Sequence, residues 1–159
     1  DPAIELDAAG KLWLAGGKVL QIVRATDTTI RSTTSTSFVD VTGMTVTTTP
    51  QKADSEILIL AVGDITLVYA SGSANISHFR ITDSSNNPIS GAQDTSHGLV
   101  GGTGNSQFRS ALNLMARDAP ATTSATTYKT QFRSSAAGVT TQLPNNSNTG
   151  QMFAIEVSA

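Results

Sequence analysis

The sequence predicts an all-β fold, a two-sheet antiparallel jelly-roll sandwich. Ser and Thr make up roughly a quarter of the 159 residues while charged residues are only 14%, and Thr favours strands. Apolar residues alternate with polar ones in about eight short segments, which is the pattern of half-buried strands. Turn residues separate these segments at the spacing typical of a sandwich.

The N-terminal segment, residues 1–16, predicts a small β hairpin. Its two arms are Ile4–Leu6 and Leu12–Leu14, and Asp7–Gly10 forms the turn between them. A hairpin of this size is not stable alone, and the glycine pair that follows separates it from a main domain at residues 17–159.

The main domain then alternates strands and polar connections. Strands are predicted at Val19–Ala25, in two pieces around Thr42-Gly43, from Ser55 through Val62, and at Ile76–Thr82, Gln107–Arg117, Tyr128–Arg133, Val139–Leu143 and Gln151–Val157. Gly63-Asp64 predicts a turn or a bulge. Residues 27–37 predict a long polar connection and Gly91–Asn105 a mobile loop. In the last strand, Phe153, Ile155 and Val157 are expected to point inward.

The segment Ser55–Val62 is apolar on both faces. Ile57 and Ile59 alternate with Leu58, Leu60 and Val62. If one set fills the core, the other needs cover. Cover by identical copies around a three-fold axis predicts a trimer seam made of Leu58, Leu60, Val62 and Met152. The alternative is cover by the chain's own loops or by the N-terminal hairpin, with Trp13 as a plug.

Composition excludes several kinds of site. The chain has no cysteine, which excludes disulfides, thiolate metal ligands and cysteine nucleophiles. A net charge of -2 without a basic cluster argues against a nucleic-acid partner. No apolar run approaches the roughly 20 residues of a membrane span, so no membrane insertion is expected.

Five segments occur in a distinctive order: GKVLQIV, TSFVDVTGMTVTTTP, SEILILAVG, DAPATTSATTYKTQFRS and MFAIEVSA. This succession resembles a jelly-roll domain of virion structural proteins in tailed bacteriophages, especially marine ones. The resemblance runs from about Gly17 to Ala159, and Asp118–Lys129 is its most specific part. One departure is Ser55-Glu56, where such sequences more often carry Ser-Lys.

The resemblance implies a tail-fibre or appendage domain, and such domains are commonly homotrimeric. We therefore expect a non-enzymatic virion protein, assembled in the host cytoplasm, that forms the distal head of a tail fibre and contacts a host-surface glycan or protein. Residues 1–16 resemble the end of a fibre shaft or a connector to other virion proteins. The alternatives are a capsid decoration or tail-knob protein that joins neighbouring subunits, and a polysaccharide-degrading enzyme of tailspike type.

No catalytic, cofactor or metal residues are predicted. Asp94 and His97 lie in a segment without a nucleophile-elbow pattern, and Asp83–Asn87 predicts an Asx turn rather than a calcium loop. Receptor contact is expected on the loops, because loops vary without disturbing the sheets. The predicted contact residues are Asp94, His97, Asn105 and Asn145.

Overall fold

The computed structural model describes residues 4–6, 12–14, 18–68, 75–99, 107–143 and 148–158, with the backbone alone at 4–6, 12–14, 75 and 99. The strands are β1 (Ile4–Leu6), β2 (Leu12–Leu14), β3 (Val19–Asp27), β4 (Arg31–Thr33), β5 (Val39–Thr48), β6 (Glu56–Val68), β7 (Asn75–Asp83), β8 (Thr95–Leu99), β9 (Gln107–Asp118), β10 (Thr126–Ser134), β11 (Thr140–Leu143) and β12 (Gly150–Val157).

The first sheet is organised around β6. This strand pairs with β9 from Ile57 to Val68 along one edge. Its other edge is divided, because β12 pairs with the first half of β6 and β11 with the second. Beyond these lie β3 and β4 respectively. The second sheet has the order β5-β10-β7-β8. Every pairing in both sheets is antiparallel.

The strand order is that of a jelly roll. We number β3, β5, β6, β7, β8, β9, β10 and β12 consecutively. One sheet then contains the first, eighth, third and sixth strands, and the other the second, seventh, fourth and fifth. Successive strands therefore cross between the sheets, except the fourth and fifth, which are neighbours in the second sheet, as in the two Greek keys of this fold. The predicted fold class is confirmed.

The core lies between the two sheets and is filled by every second residue of each strand. Ile57, Ile59 and Ala61 of β6 are fully buried, and so are Phe79 and Ile81 of β7. The alternation of polar and apolar residues predicted these orientations, because successive side chains of a strand point to opposite faces.

The predicted orientation of β12 is wrong. Met152, Ala154 and Glu156 are fully buried, whereas Phe153, Ile155 and Val157 point to the outer face and are only half-buried. Both alternating sets are largely apolar, and a glutamate is normally exposed. The structure buries this carboxylate because it accepts hydrogen bonds from Gln21 Nε2 at 2.6 Å and from the Gln51 and Lys52 amides at 2.8 and 3.3 Å.

Three connections also differ from the sequence-based prediction. The polar segment after β3 contains the short strand β4, which pairs with β11. Part of the predicted mobile loop is β8, which pairs with β7, and residues 100–106 lie outside the described residues. Gly63 and Asp64 form neither a turn nor a bulge, since β6 passes through them with an unbroken register to β9.

The predicted N-terminal hairpin is present as the pairing of β1 with β2, from Ile4↔Leu14 to Leu6↔Leu12. Its turn and the side chain of Trp13 lie outside the described residues. Cover of the main domain by Trp13 therefore stays a prediction.

Candidate functional site

The two sheets present outer faces of unlike chemistry. We name the outer face of the first sheet the apolar face; it consists of Ile22, Leu58, Leu60, Val62, Met115, Phe153 and Ile155. An outer sheet face in contact with water is normally polar. Here Met115 is 63% and Ile22 61% exposed, and Leu58, Leu60 and Val62 are half-buried.

Strand register makes the apolar face continuous. Ile22 of β3 lies opposite Ile155 of β12, which lies opposite Leu58 of β6. In the next row, Phe153 of β12, Leu60 of β6 and Met115 of β9 are neighbours. Side chains directly opposite on antiparallel strands lie about 5 Å apart. Leu58 and Leu60, two of the predicted seam residues, therefore lie within one apolar surface. Val62, a third, lies at its edge between Gln151 of β12 and Asn113 of β9.

Charged side chains border the apolar face without interrupting it. The guanidinium of Arg24 lies 5.8 Å from the centre of the Phe153 ring. Arg117 lies next to Leu58 and forms an ion pair with Glu56. The hydrogen bond from Arg117 lowers the pKa of the Glu56 carboxyl, desolvation opposes this effect, and the charge of Arg117 adds to it.

Met152 does not belong to this surface, which corrects its assignment to the seam. Its side chain is fully buried between the sheets, where its sulfur accepts a hydrogen bond from Thr130 Oγ1 at 3.3 Å. The cause is the alternation of side chains along a strand. Met152 is paired with Ala61, so both point into the core, while Leu60 and Val62 on either side of Ala61 point out.

The outer face of the second sheet carries charges, and we name it the charged face. It consists of Asp40, His78, Arg80, Lys129, Gln131 and Arg133, with Asp94 and Phe38 at its edges. Gln131 lies at the centre of the hydrogen bonds on this face, and it is only 3% exposed. Its amide donates to Asp40 Oδ1 at 2.6 Å and to Asn86 Oδ1 at 2.8 Å, and its carbonyl oxygen accepts from Arg80 Nε at 2.8 Å.

Two carboxylates neutralise part of the charged face. Lys129 Nζ lies 3.1 Å from Asp40 Oδ2. Asp94 is shared, because its oxygens lie 2.6 Å from His78 Nδ1 and 3.5 Å from an Arg133 terminal nitrogen. Within the described part of the chain, Arg80 has no carboxylate at ion-pair distance.

Phe38 lies beneath two guanidinium groups. The Arg80 guanidinium carbon is 4.0 Å from the ring centre and that of Arg133 is 5.1 Å away, which are cation–π distances. Burial lowers the pKa of Arg80, Asp94 opposes this effect, and the neighbouring Arg133 charge adds to it. Sequence reasoning missed this cluster because Arg80 and Gln131 are neighbours only through the pairing of β7 with β10.

The structure describes two of the four predicted receptor-contact residues, Asp94 and His97. Asp94 lies at the edge of the charged face. His97 lies on β8 with its ring against Phe79, at 5.9 Å between centroids and an angle of 76°, and burial lowers the pKa of His97. Asp94 and His97 are not paired with each other, since the partner of Asp94 is His78. Asn105 and Asn145 lie outside the described residues.

The predicted Asx turn at Asp83–Asn87 is confirmed. Asp83 Oδ1 accepts hydrogen bonds from the Ser85 and Asn87 amides, both at 2.8 Å. Asn86 adopts a positive φ of 69°, and its side-chain oxygen also accepts a hydrogen bond from Lys129 at 2.7 Å. The turn thus reaches the charged face. No group of three or more His, Asp or Glu residues suited to a metal ion occurs in the described ranges.

Fold and surfaces together define a jelly-roll sandwich with one apolar and one charged outer face. No protein-family model and no curated protein matches the sequence. Among solved structures, the chain is similar to one from the T13 particle of infectious bursal disease virus, with 13% identity, a TM-score of 0.41, and coverage of 99% of this chain and 41% of that chain. A VP2 subviral particle of the same virus gives 13% identity, a TM-score of 0.39, and coverage of 100% and 43%.

Tailspike protein 4 of bacteriophage CBA120, in its enzymatically active domain, gives 13% identity and a TM-score of 0.28, with coverage of 86% of this chain and 19% of that chain. The chain thus spans about two fifths of the infectious bursal disease virus chains that it matches. These likenesses are too distant to carry an argument about what the chain does. The described residues contain no helix that is long and apolar enough to cross a membrane.

Proposed function

We propose that this chain is a non-enzymatic structural protein of a tailed-phage virion. In this proposal it forms the homotrimeric head of a tail fibre and contacts the host surface. The sequence resemblance to appendage domains supports the proposal, and the jelly-roll strand order is the fold that this resemblance implied. The observation that carries the assembly step is the apolar face.

The size of the apolar face fits a contact between protein subunits. Its residues come from four adjacent strands, so it is about 15 Å wide at a strand spacing of about 4.8 Å. Its width and its length together give an exposed apolar area that approaches the few hundred Å² above which such patches mark interaction sites. A stable interface covers about 800 Å² on each partner, which the patch reaches only with its polar surroundings.

Identical copies are the occupant that we propose for the apolar face. The two complete rows of the apolar face hold no charged group except Arg24 and Arg117 at their ends, so the apolar faces of identical copies that meet around a three-fold axis can cover one another. In a closed ring, the apolar face of every copy is covered in the same way. In an open arrangement, the copies at the ends leave part of this face uncovered. Such a ring turns the charged faces and loops away from its axis.

Contact with the host then falls on surfaces remote from the axis. Asp94 lies there, and Asn105 and Asn145, which are outside the described residues, remain candidate contact residues. His97 is the weakest of the four, because its ring packs against Phe79. Weak contacts of single copies would be strengthened by three simultaneous attachments.

Sedimentation equilibrium tests the assembly step. The chain has a mass of 16.5 kDa, and the expected result is a species of three chains at micromolar concentration. A monomer throughout the concentration range would contradict the trimer.

Two further measurements separate the rival functions. Binding of the labelled trimer to bacterial surface glycans supports the fibre head, whereas assembly without any such binding favours a decoration or tail-knob protein. Shortening of a polysaccharide during incubation with the trimer would instead support the tailspike-type enzyme.

A further inference from the structure

We infer that the charged face is a binding site for an anionic carbohydrate, in which Arg80 receives a carboxylate of the sugar. This inference rests on the proposed function, because it names the class of host-surface molecule that the fibre head would contact. Its central residues, Phe38, Arg80 and Gln131, are not among the predicted receptor-contact residues.

Ion pairing on this face leaves one cation available to an anion. The face carries Arg80, Lys129 and Arg133, and the last two each lie at ion-pair distance from a carboxylate, Asp40 or Asp94. Asp83 in the adjoining turn also interacts electrostatically with Lys129, so the attraction of an anion is local to Arg80 and is not a property of the whole face.

Arg80 is the group left available for the ligand. Lys129 is paired with Asp40, and Arg133 shares Asp94 with His78. For Arg80, hydrogen bonding within the described residues involves Nε alone. Its two terminal nitrogens are therefore free to donate side by side to a carboxylate, the geometry in which arginine binds this group most strongly.

The side chain of Arg80 is held in place before any ligand arrives. Its guanidinium stacks on Phe38 at 4.0 Å, and its Nε donates to the buried Gln131 at 2.8 Å. Gln131 is in turn fixed by Asp40 and Asn86. A preorganised donor loses less side-chain entropy on binding than a free one.

The form of the surface favours a sugar polymer over a small free anion. The face is an open sheet surface and not a closed cavity, so a bound molecule remains largely in contact with water. The amide and carboxylate groups that bind Gln131, from Asn86 and Asp40, are suited to the hydroxyl groups of a sugar. A repeating polymer also engages three copies at once, which raises the apparent affinity.

The experiment measures binding of the full chain to immobilised polysaccharides by biolayer interferometry. The probes are polygalacturonate, which carries carboxylates, dextran sulfate, which carries sulfates, and unmodified dextran. We expect binding to polygalacturonate and none to dextran. Binding to dextran sulfate alone would overturn the assignment of a carboxylate ligand.

Variants then locate the site. Arg80→Ala should weaken binding to polygalacturonate about tenfold or more, since a charge-assisted hydrogen bond contributes about that factor or above. Arg80→Lys keeps the charge and loses the planar pair of donors, so it should bind weakly as well. Arg109→Ala is the matched control, because it removes the same charge from an exposed position of β9 on the other sheet.

A third variant predicts an effect of opposite sign. Asp94→Asn removes the carboxylate that competes for Arg133 and repels an anionic ligand, so it should bind polygalacturonate several-fold more tightly. Equal binding by the wild type and Arg80→Ala, or an equal loss in Arg109→Ala, would overturn the site.

Sedimentation separates this inference from the proposed function. Arg80 is remote from the apolar face, so Arg80→Ala should remain trimeric with an unchanged far-ultraviolet circular dichroism spectrum. A trimer that binds no anionic polysaccharide overturns the site and leaves the proposed assembly standing. A monomer that still binds polygalacturonate contradicts the assembly and supports the site.

Discussion

Replacement of Leu60 by glutamate is the most direct perturbation of the apolar face. Leu60 lies at its centre, between Phe153 of β12 and Met115 of β9. The side chain is half-buried and points away from the core, so a glutamate there keeps its carboxylate in water in a single copy. The variant should therefore fold.

The expected loss of assembly follows from burial. Fully burying a leucine contributes about 1.5–3 kcal/mol, and about a third of that at most remains available in Leu60 for an interface, because the side chain is already largely buried. Three copies together lose about 2 kcal/mol, which is roughly thirtyfold in the assembly constant. Three carboxylates brought to an apolar interface cost several kcal/mol more, so Leu60→Glu should be monomeric at concentrations where the wild type is trimeric.

Sedimentation velocity measures the outcome, and thermal unfolding followed by circular dichroism checks the fold. The control is Thr42→Glu, which introduces the same charge at an exposed position of β5 in the second sheet and should assemble normally. If Leu60→Glu remained trimeric, the apolar face would not be the seam. If both variants dissociated, the added charge rather than its position would be the cause.

Three further variants test local features. Glu156→Gln should lower the free energy of unfolding by about 2 kcal/mol, because the amide nitrogen cannot accept the hydrogen bond that Gln21 Nε2 donates to Glu156 Oε2, and the remaining oxygen loses its negative charge. Burial tends to raise the pKa of Glu156, but the hydrogen bonds it accepts hold this pKa below its ordinary value of 4.5; its contribution is therefore present above about pH 4.5 and lost as pH falls through the lower folded-state value. The free energy of unfolding in urea, measured between about pH 3 and 6, should depend less on pH in the variant than in the wild type. The same pH dependence in both proteins would disprove this role of Glu156. Gly43→Ala should destabilise by about 1–3 kcal/mol, because Gly43 has a φ of +94° and a Cβ there would lie 2.5 Å from Asp27 Oδ2; an unchanged melting temperature would contradict the strain. Tyr128→Phe should cost about 1–2 kcal/mol, since the buried hydroxyl donates to Asp118 Oδ2 at 2.7 Å, and a melting temperature equal to that of the wild type would show that water replaces this bond.

The alternation of polar and apolar residues correctly predicted the orientation of side chains in strands with one polar face. In β7, His78 and Arg80 alternate with Phe79 and Ile81, and the structure places them as this pattern predicts. The same reasoning failed in β12, where Phe153 and Ile155 alternate with residues that are equally apolar. A shift of one residue reverses every side chain of a strand, and only the pairing with β6 decides between the two possibilities.

The charged cluster could not be found along the sequence. Phe38 precedes β5, Arg80 is on β7 and Gln131 is on β10, so more than forty residues separate each from the next. Their meeting depends on the order of strands in the second sheet. No local pattern encodes that order, because it results from the packing of the whole sandwich.

The sequence by itself determined the all-β class, the half-buried strands, the Asx turn and the apolar character of both sides of β6. Each of these depends on residues close together in the chain, through side-chain period and turn chemistry. Only the tertiary structure decided which side of β12 enters the core and which side chains share an outer face. Cross-strand pairing joins residues far apart in the chain, and this pairing gathered aliphatic groups on one face of the sandwich and arginines on the other.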